Sequence, residues 1–401
     1  MQDTTEEANR ETPVSERCDV AVAGGGVGGI AAALAAARAG ADTLLIENQC
    51  VLGGLATAGI VTIYLPLCDG MGRQMSFGVA EELFRLSVLH GAQAHYPSAW
   101  LESGGGDRAR QRFEVQFNPV YFALEAERLL REAGIRILYD TRLCAATVKG
   151  RRLDSLIIEN ESGRTAVRCK AAVDATGTAG LLRAAGEETR RHAAGNTVAG
   201  WYYSAGPDGL RLHMLGFADA AKGSERDGAA PGRGERFFGS DAREISAYLF
   251  KSHQMTLESA LALADRKPGT EPAMMSFMPQ YRMIRCLKGQ TVLSEAQEGQ
   301  HFPDSIGMVG DWRKRGPKYE VPYGILFGGR LDNLFAAGRC VSTDDGMWDI
   351  MRVIPCCAVT GEAAGVAAAL TPQSGRTPAG QVQLRLSQAG QKLFISELDE
   401  L

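Results

Sequence analysis

The stretch CDVAVAGGGVGGIAAALAAARAGADTLLIEN, beginning at Cys18, limits the fold of this chain more than any other. DVAVAG is a short apolar run of strand type. IAAALAAARAG has helical composition and is closed by Gly40, and TLLIE is a second buried run. Gly24, Gly26 and Gly29 give the spacing G-x-G-x-x-G between the first strand and the helix, with Gly28 in the same turn. Each glycine has a task there: a tight turn, an approach of backbone to pyrophosphate that a side chain would block, and close packing of helix on strand. Glu47 ends the second strand, where an acid can accept from ribose hydroxyls, and the helix N-terminus can hold phosphate charge. The unit predicts a bound dinucleotide.

A chain of 401 residues, 45% hydrophobic and 22% charged, can bury a large core and predicts about two domains. Forty-three basic against forty-seven acidic side chains give a net charge of −4, so no strong positive field points to nucleic acid or anionic lipid. The opening MQDTTEEANRETPVSER, residues 1–17, reads as a disordered lead-in rather than a secretory signal. No apolar run approaches the roughly 18 residues that span a bilayer. The nine cysteines are scattered without a C-x-x-C pair, which predicts a cytoplasmic protein with reduced thiols, and adjacent Cys356 and Cys357 read as packing residues at a helix start.

The strand-helix-strand unit fits NAD and FAD equally, because both present an adenosine diphosphate. After Glu47 comes a second glycine cluster, VLGGLATAGI, instead of regular alternation. The next clear helix is FNPVYFALEAERLLREAG, with Phe122, Leu124, Leu129 and Leu130 on its expected apolar side. Strands are predicted at IRILYD, RLCAATVKG, LDSLIIEN and TAVRCKAAVDATG.

On these stretches the chain resembles the FAD-dependent oxidoreductases with a glutathione-reductase-like flavin fold. VLGGLATAG (Val51 to Gly59), VDATG (Val173 to Gly177) and DNLFAAGRCVS (Asp332 to Ser342) carry the likeness. YRMIRCLKG, FPDSIG and VPYGIL follow it in order. The resemblance implies an α/β protein: a discontinuous FAD-binding Rossmann domain over 18–60, 115–190 and 330–372, with an inserted α+β substrate or cap region over 61–114 and 191–329 and a helical tail over 373–401. It further implies that Gly24, Gly26, Gly28, Gly29 and Glu47 hold the adenosine diphosphate half of non-covalently bound FAD. Gly53, Gly54, Thr176 and Gly177 would pass the cofactor, and Gly338 and Arg339 would stand beside the flavin half. NAD(P)H is a candidate electron donor.

Departures from the family pattern fall where substrate would lie. Cys286 stands where a second arginine is usual, Ile284 where a small polar residue is, and TDDGMWDI replaces a histidine with small residues. The implied activity is a two-electron oxidation or reduction of a small organic substrate at carbon. An NAD(P)-only dehydrogenase and a non-catalytic flavin-binding protein are the alternatives.

Arginines suit oxygen-bearing substrates, so Arg282, Arg285 and Arg352 are candidates for substrate contact or catalysis. His301 is the histidine candidate for acid-base work, and the histidines lack metal-ligand spacing. STDDGMWDIMR, beyond the strand NLFAAG, is expected to run past the cofactor as a loop, with Asp344 or Asp345 handling a proton, Trp348 as an aromatic wall and Arg352 as an anchor. AAKGSERDGAAPGRGERF reads as a mobile loop.

Overall fold

The computed structural model describes residues 11–217 and 234–398. Its centre is a sheet built from the predicted runs: β1 (Val14–Ala23), β2 (Thr43–Ile46), β3 (Arg136–Leu138), β4 (Arg142–Lys149), β5 (Arg152–Asn160), β6 (Gly163–Asp174) and β7 (Leu334–Ala336). The order is β3-β2-β1-β6-β5-β4, with β7 also on β6. β1 pairs in parallel with β2 and β6, β2 with β3, and β7 with β6, whereas β4, β5 and β6 form antiparallel hairpins. β6 is long enough to serve two partners on one edge: Gly163 to Arg168 face β5, and Ala172 to Asp174 face β7. The parallel strands β1, β2, β6 and β7 therefore end together. That shared carboxyl edge is where ligands bind in open α/β sheets.

Two helices cover one face. α1 (Val27–Arg38) follows β1 and is buried from Val27 to Ala36. It packs on a late helix, Ile354–Ala369, whose residues are nearly all buried. Alanine and glycine let the backbones meet: a Cβ on Gly361 would lie 2.2 Å from the Gly28 carbonyl oxygen, and one on Gly365 2.1 Å from that of Ala32. α2 (Pro119–Glu132) is capped by Asn118, whose side chain accepts from the amides of Val120 and Tyr121. Phe122, Ala126 and Leu130 form its buried stripe, while Leu124, expected on that side, is 60% exposed. The i, i+4 spacing of the three buried residues sets the inward direction.

Beyond the main sheet lie a three-stranded antiparallel sheet of Gly209–His213, Tyr202–Gly206 and Glu271–Met275, and α3 (Ala242–Arg266). Asp241 caps α3 through the amides of Arg243 and Glu244.

Two expectations change. Strand β1 begins at Val14, so residues 14–17, expected to be disordered, pair with β6 instead; the rest of that lead-in before residue 11, and most of the expected mobile loop, lie outside the described residues. The segment after β7, expected as a loop, forms α4 (Asp345–Met351), and after a short break α5 (Ile354–Ala369) follows. Among the described residues no single helix is long and apolar enough to cross a membrane; α4 and α5 pass that test only as a pair bent by 90°.

Candidate functional site

A cavity of about 610 Å³ opens at the carboxyl edge of the parallel strands. At one end the backbone makes the wall. Gly24 has φ +102°, and a Cβ on Gly29 would lie 1.8 Å from the Gly24 carbonyl oxygen, so the turn closes only without side chains. At Gly26 a Cβ would meet nothing within 4 Å, because that face looks into the cavity. The second glycine cluster docks beside it: Gly53 donates to the Gly25 carbonyl at 2.8 Å, and Gly26 and Gly53 form a bridge.

Glu47 is 4% exposed and lines this end. Its carboxylate accepts from Gly25 N at 2.5 Å and from Gln49 N at 2.8 Å. Burial raises the carboxyl above its usual range, and these amides offset that only in part. Asp174, fully buried at the end of β6, accepts from the amide and hydroxyl of Thr176 at 3.0 and 2.7 Å and from Leu182 N at 2.8 Å. It shapes the turn that brings Thr176 and Gly177 to the cavity.

Arg339 stands where the two ends meet. Its guanidinium donates to the carbonyls of Tyr281 at 2.7 Å and Arg282 at 3.2 Å, and it presses on Gly177, where a Cβ would lie 2.2 Å from Nη2. Arg142, Arg183, Arg339 and Arg352 line the cavity against Glu47. That balance suits a diphosphate. The first turn of α5 contributes Ile354 and Cys357, and Gly338 N donates to the Thr360 hydroxyl at 3.0 Å, tying strand end to helix.

The opposite end is apolar. Ile245 of α3, Met278, Pro279, Tyr281 and Ile284 line it, with Gly239 beside them. Tyr281 is 2% exposed and its ring packs on Tyr248 with centroids 4.4 Å apart. Its hydroxyl has no hydrogen-bond partner among the described residues. Leaving a buried hydroxyl unpaired costs about 1 to 3 kcal/mol.

The residues expected to act on substrate are dispersed. Arg352 lines the cavity; its Nε and Nη2 donate to Asp349 Oδ1 at 2.9 and 2.7 Å, and it lies over the Trp312 ring. Asp344 caps α4, accepting from Met347 N at 2.7 Å. Asp345 pairs with Arg190, and His192 Nδ1 lies 3.7 Å from it. Trp348 is fully buried beside Met283 and Cys286, and its indole donates to the Arg339 carbonyl at 3.0 Å. None of Asp344, Asp345 and Trp348 is among the residues lining the cavity. The acids occupy cap and ion-pair positions, and the tryptophan supports Arg339 from behind.

Arg282 is 4% exposed, donates to the Gln280 carbonyl at 2.7 Å and lies over Trp201. Arg285 reaches Thr189 Oγ1 at 3.3 Å, and burial with neighbouring Arg183 and Arg191 lowers its pKa. His301 is exposed, with Nδ1 3.1 Å from Glu320 Oε2. These three also stand apart from the cavity lining. Ile284, a departure expected on the substrate side, does line the cavity, whereas Tyr281 of the same YRMIRCLKG stretch lines it without having been a candidate, because the arginines carry the stretch's recognisable chemistry.

A parallel α/β sheet, a glycine cradle at its carboxyl edge, a buried acid beside it and surrounding arginines define a dinucleotide-binding protein. Residues 19–202 and 240–391 match the family model described as FAD dependent oxidoreductase, and the chain belongs to that family. FAD is thus its cofactor, and the open face of Gly26 and the surplus of cations fit it. No curated protein matches at a significant level.

Solved structures resemble the chain at low identity. A geranylgeranyl bacteriochlorophyll reductase-like protein from Thermoplasma acidophilum is 13% identical, with 94% of this chain and 82% of that one covered and a TM-score of 0.45. A p-nitrophenol 4-monooxygenase from Pseudomonas putida is 10% identical over 88% and 79%, with a TM-score of 0.46.

Proposed function

We propose that this FAD-dependent oxidoreductase carries out a two-electron oxidation or reduction of a small organic substrate at carbon. The observation that carries the reading is the continuity of one cavity, backbone-walled and cationic at one end and apolar at the other. In this reading the sheet is a glutathione-reductase-like FAD domain, and the segments bearing α3 and residues 278–284 are the inserted substrate side.

Gly24, Gly26, Gly28, Gly29 and Glu47 would hold the adenosine diphosphate half of the cofactor, with Gly53, Gly54, Thr176 and Gly177 along its path. Gly338, Arg339 and the first turn of α5 would flank the other half. Bound there, FAD supplies hydride or electron-pair transfer. The chain's own contribution is to exclude water with Ile245, Met278, Pro279 and Ile284, to place positive charge through Arg339 and Arg352, and to direct the positive end of α5 into the cavity. Proton handling is not assigned to Asp344 or Asp345, whose carboxylates are already engaged by Met347 N and Arg190.

NADH or NADPH is proposed as the electron donor. Anaerobic holoprotein mixed with either, then with ring ketones, enones and phenols, tests the reading: flavin bleaching by a nucleotide and reoxidation by one substrate class are expected. A flavin that dithionite bleaches but that exchanges electrons with none of these compounds removes it.

A further inference from the structure

We infer that the outward face of α3 is the contact by which two copies of this chain associate, helix on antiparallel helix about a two-fold axis. The inference goes beyond the reaction proposed above and does not depend on it.

The amphipathic sense of α3 is inverted. Its buried residues are Tyr248, Ser252 and Ala260, and its inner side is tied to backbone by polar groups. The Tyr248 hydroxyl accepts from Ala199 N at 3.2 Å, and Ser252 Oγ donates to the Ala199 carbonyl at 2.7 Å. Thr256 Oγ1 donates to the Gly200 carbonyl at 3.3 Å, and Ser259 Oγ meets the Tyr202 hydroxyl at 3.1 Å. Large apolar side chains point the other way: Phe250, Leu257 and Leu261 are 72, 60 and 59% exposed. At about 3.6 residues per turn they fall, with Gln254, on the side opposite Tyr248, Ser252 and Ser259. Met275 stands beside Tyr202 on the sheet face that carries α3 and is also exposed, so the apolar surface runs on past the helix. The solvent side of a surface helix ordinarily carries its polar residues. A contiguous apolar face there marks a surface that another molecule covers.

The stripe itself points to the occupant. Phe250, Gln254, Leu257 and Leu261 are four, three and four residues apart, the alternation of a coiled-coil seam, and that spacing reads the same in both directions. An antiparallel copy therefore sets Phe250 against Leu261 of the partner subunit and Gln254 against Leu257 of the partner subunit, and the two-fold axis repeats both contacts. Gln254 can be covered there because its Nε2 already donates to Glu258 at 2.8 Å. Lys251 and Glu258 run along one flank of the seam. In the antiparallel pair Lys251, which also bonds Glu235 of its own chain, comes opposite Glu258 of the partner subunit, and by symmetry this happens twice. At the ends Glu244 and Asp265 oppose each other, with Arg243 and Arg266 adjoining them to offset the repulsion. A lipid surface fits less well. On α3 the bases Arg243, Lys251 and Arg266 are matched by the acids Glu244, Glu258 and Asp265, and the chain's net charge is −4, so anionic headgroups draw neither helix nor protein.

Sedimentation equilibrium of the full-chain holoprotein over the micromolar range is the test, and wild type is expected to sediment as a dimer. Phe250→Glu with Leu257→Glu should weaken association by at least about a hundredfold and keep its flavin, because both side chains are exposed in the single chain. Orientation is read by oxidative cross-linking in a background with the exposed Cys50 and Cys144 changed to serine. Phe250→Cys with Leu261→Cys should give a covalent dimer on a denaturing gel. Phe250→Cys alone should not, since antiparallel helices hold the two copies of residue 250 roughly 16 Å apart along the axis. A monomeric wild type overturns the inference, whether it stays in solution or floats with vesicles of equal phosphatidylcholine and phosphatidylglycerol. So does a dimer that the paired glutamates leave intact, one that Phe250→Cys alone cross-links, or one that the two cysteines together fail to cross-link.

Discussion

Glu47 already accepts two backbone amides, from Gly25 and Gln49, so it braces the glycine turn as well as lining the cavity. Glu47→Arg takes away that brace and adds a bulky cation to a buried position. The purified variant should lack yellow colour, whereas wild type should be yellow and release its flavin to the supernatant on acid precipitation. Cys357 is the lining thiol nearest the α5 terminus, and burial pushes it up to about 12, too high for a thiolate to attack the cofactor at neutral pH. Colour that stays in the pellet would falsify non-covalent binding. Asp344→Asn is the other informative change at this scale. Asparagine caps as well as aspartate, so both stability and single-turnover rate should stay near wild type, while Asp344→Ala should lose about 0.5 to 2 kcal/mol with the rate intact. A hundredfold slower Asp344→Asn with normal flavin content would restore a proton-transfer role. At this scale the glycines and Glu47 were legible because their chemistry depends on local spacing. Tyr281 was not, because an unpaired hydroxyl is defined by residues far away in sequence.

The α1 and α5 pair is the element on which the site depends, since the two helices run side by side and both begin at the cavity, Cys357 of α5 lying against Gly28 of α1. Gly361 and Gly365 are where the two helices touch backbone to backbone. Gly361→Val should therefore separate them and cost roughly 1 to 3 kcal/mol or more, as overpacking does, seen as a lower denaturant midpoint and weaker flavin retention. Glu362 lies between these glycines, 2% exposed, accepting from Val79 N at 3.0 Å and Gln391 Nε2 at 2.6 Å. Burial raises its pKa to about 7, and Gln391 Oε1 has no donor among the described residues. Its folded pKa lies above the unfolded value near 4.5, so the native state holds the proton more tightly and stability falls as pH rises from about 4.5 to about 7. Glu362→Gln supplies a donor without a charge. It should flatten that slope and raise the thermal midpoint above pH 7; an unchanged pH profile would show that Glu362 does not set it. Both helices were readable from composition, because alanine and glycine runs between strands have one packing solution. α4 was not: Asp-Asp-Gly signals a turn, and only burial of Trp348 and Ile350 shows that the turn continues into a helix.

At the scale of the molecule, the cavity draws walls from β1, β2, β4, the turn after β6, α5, α3 and residues 278–284, segments spread over most of the chain. The strands of the sheet could be anticipated from the glycine unit and the resemblance, but the meeting of α3 with residues 278–284 around one end could not, since nothing in either stretch names the other as its neighbour. A ligand that touches all of these segments only when they are assembled binds the native state and not the unfolded one, and so stabilises by mass action: about 4 kcal/mol at a thousandfold excess over its Kd. The two ends should separate in such a measurement. Apoprotein prepared by acid removal of the flavin and refolding should show a thermal midpoint that climbs with FAD concentration. ADP, which satisfies only the glycine turn, Glu47 and the nearby arginines, should give a smaller rise that saturates, and excess ADP should lower the apparent affinity for FAD. Adenosine, which lacks the diphosphate, should give less than ADP, and the difference between the two should shrink as salt is raised, because the arginine contribution is electrostatic. Equal shifts from ADP and adenosine at low salt would mean that the cationic lining does not meet a diphosphate, and the placement of the cofactor along the cavity would have to be reversed.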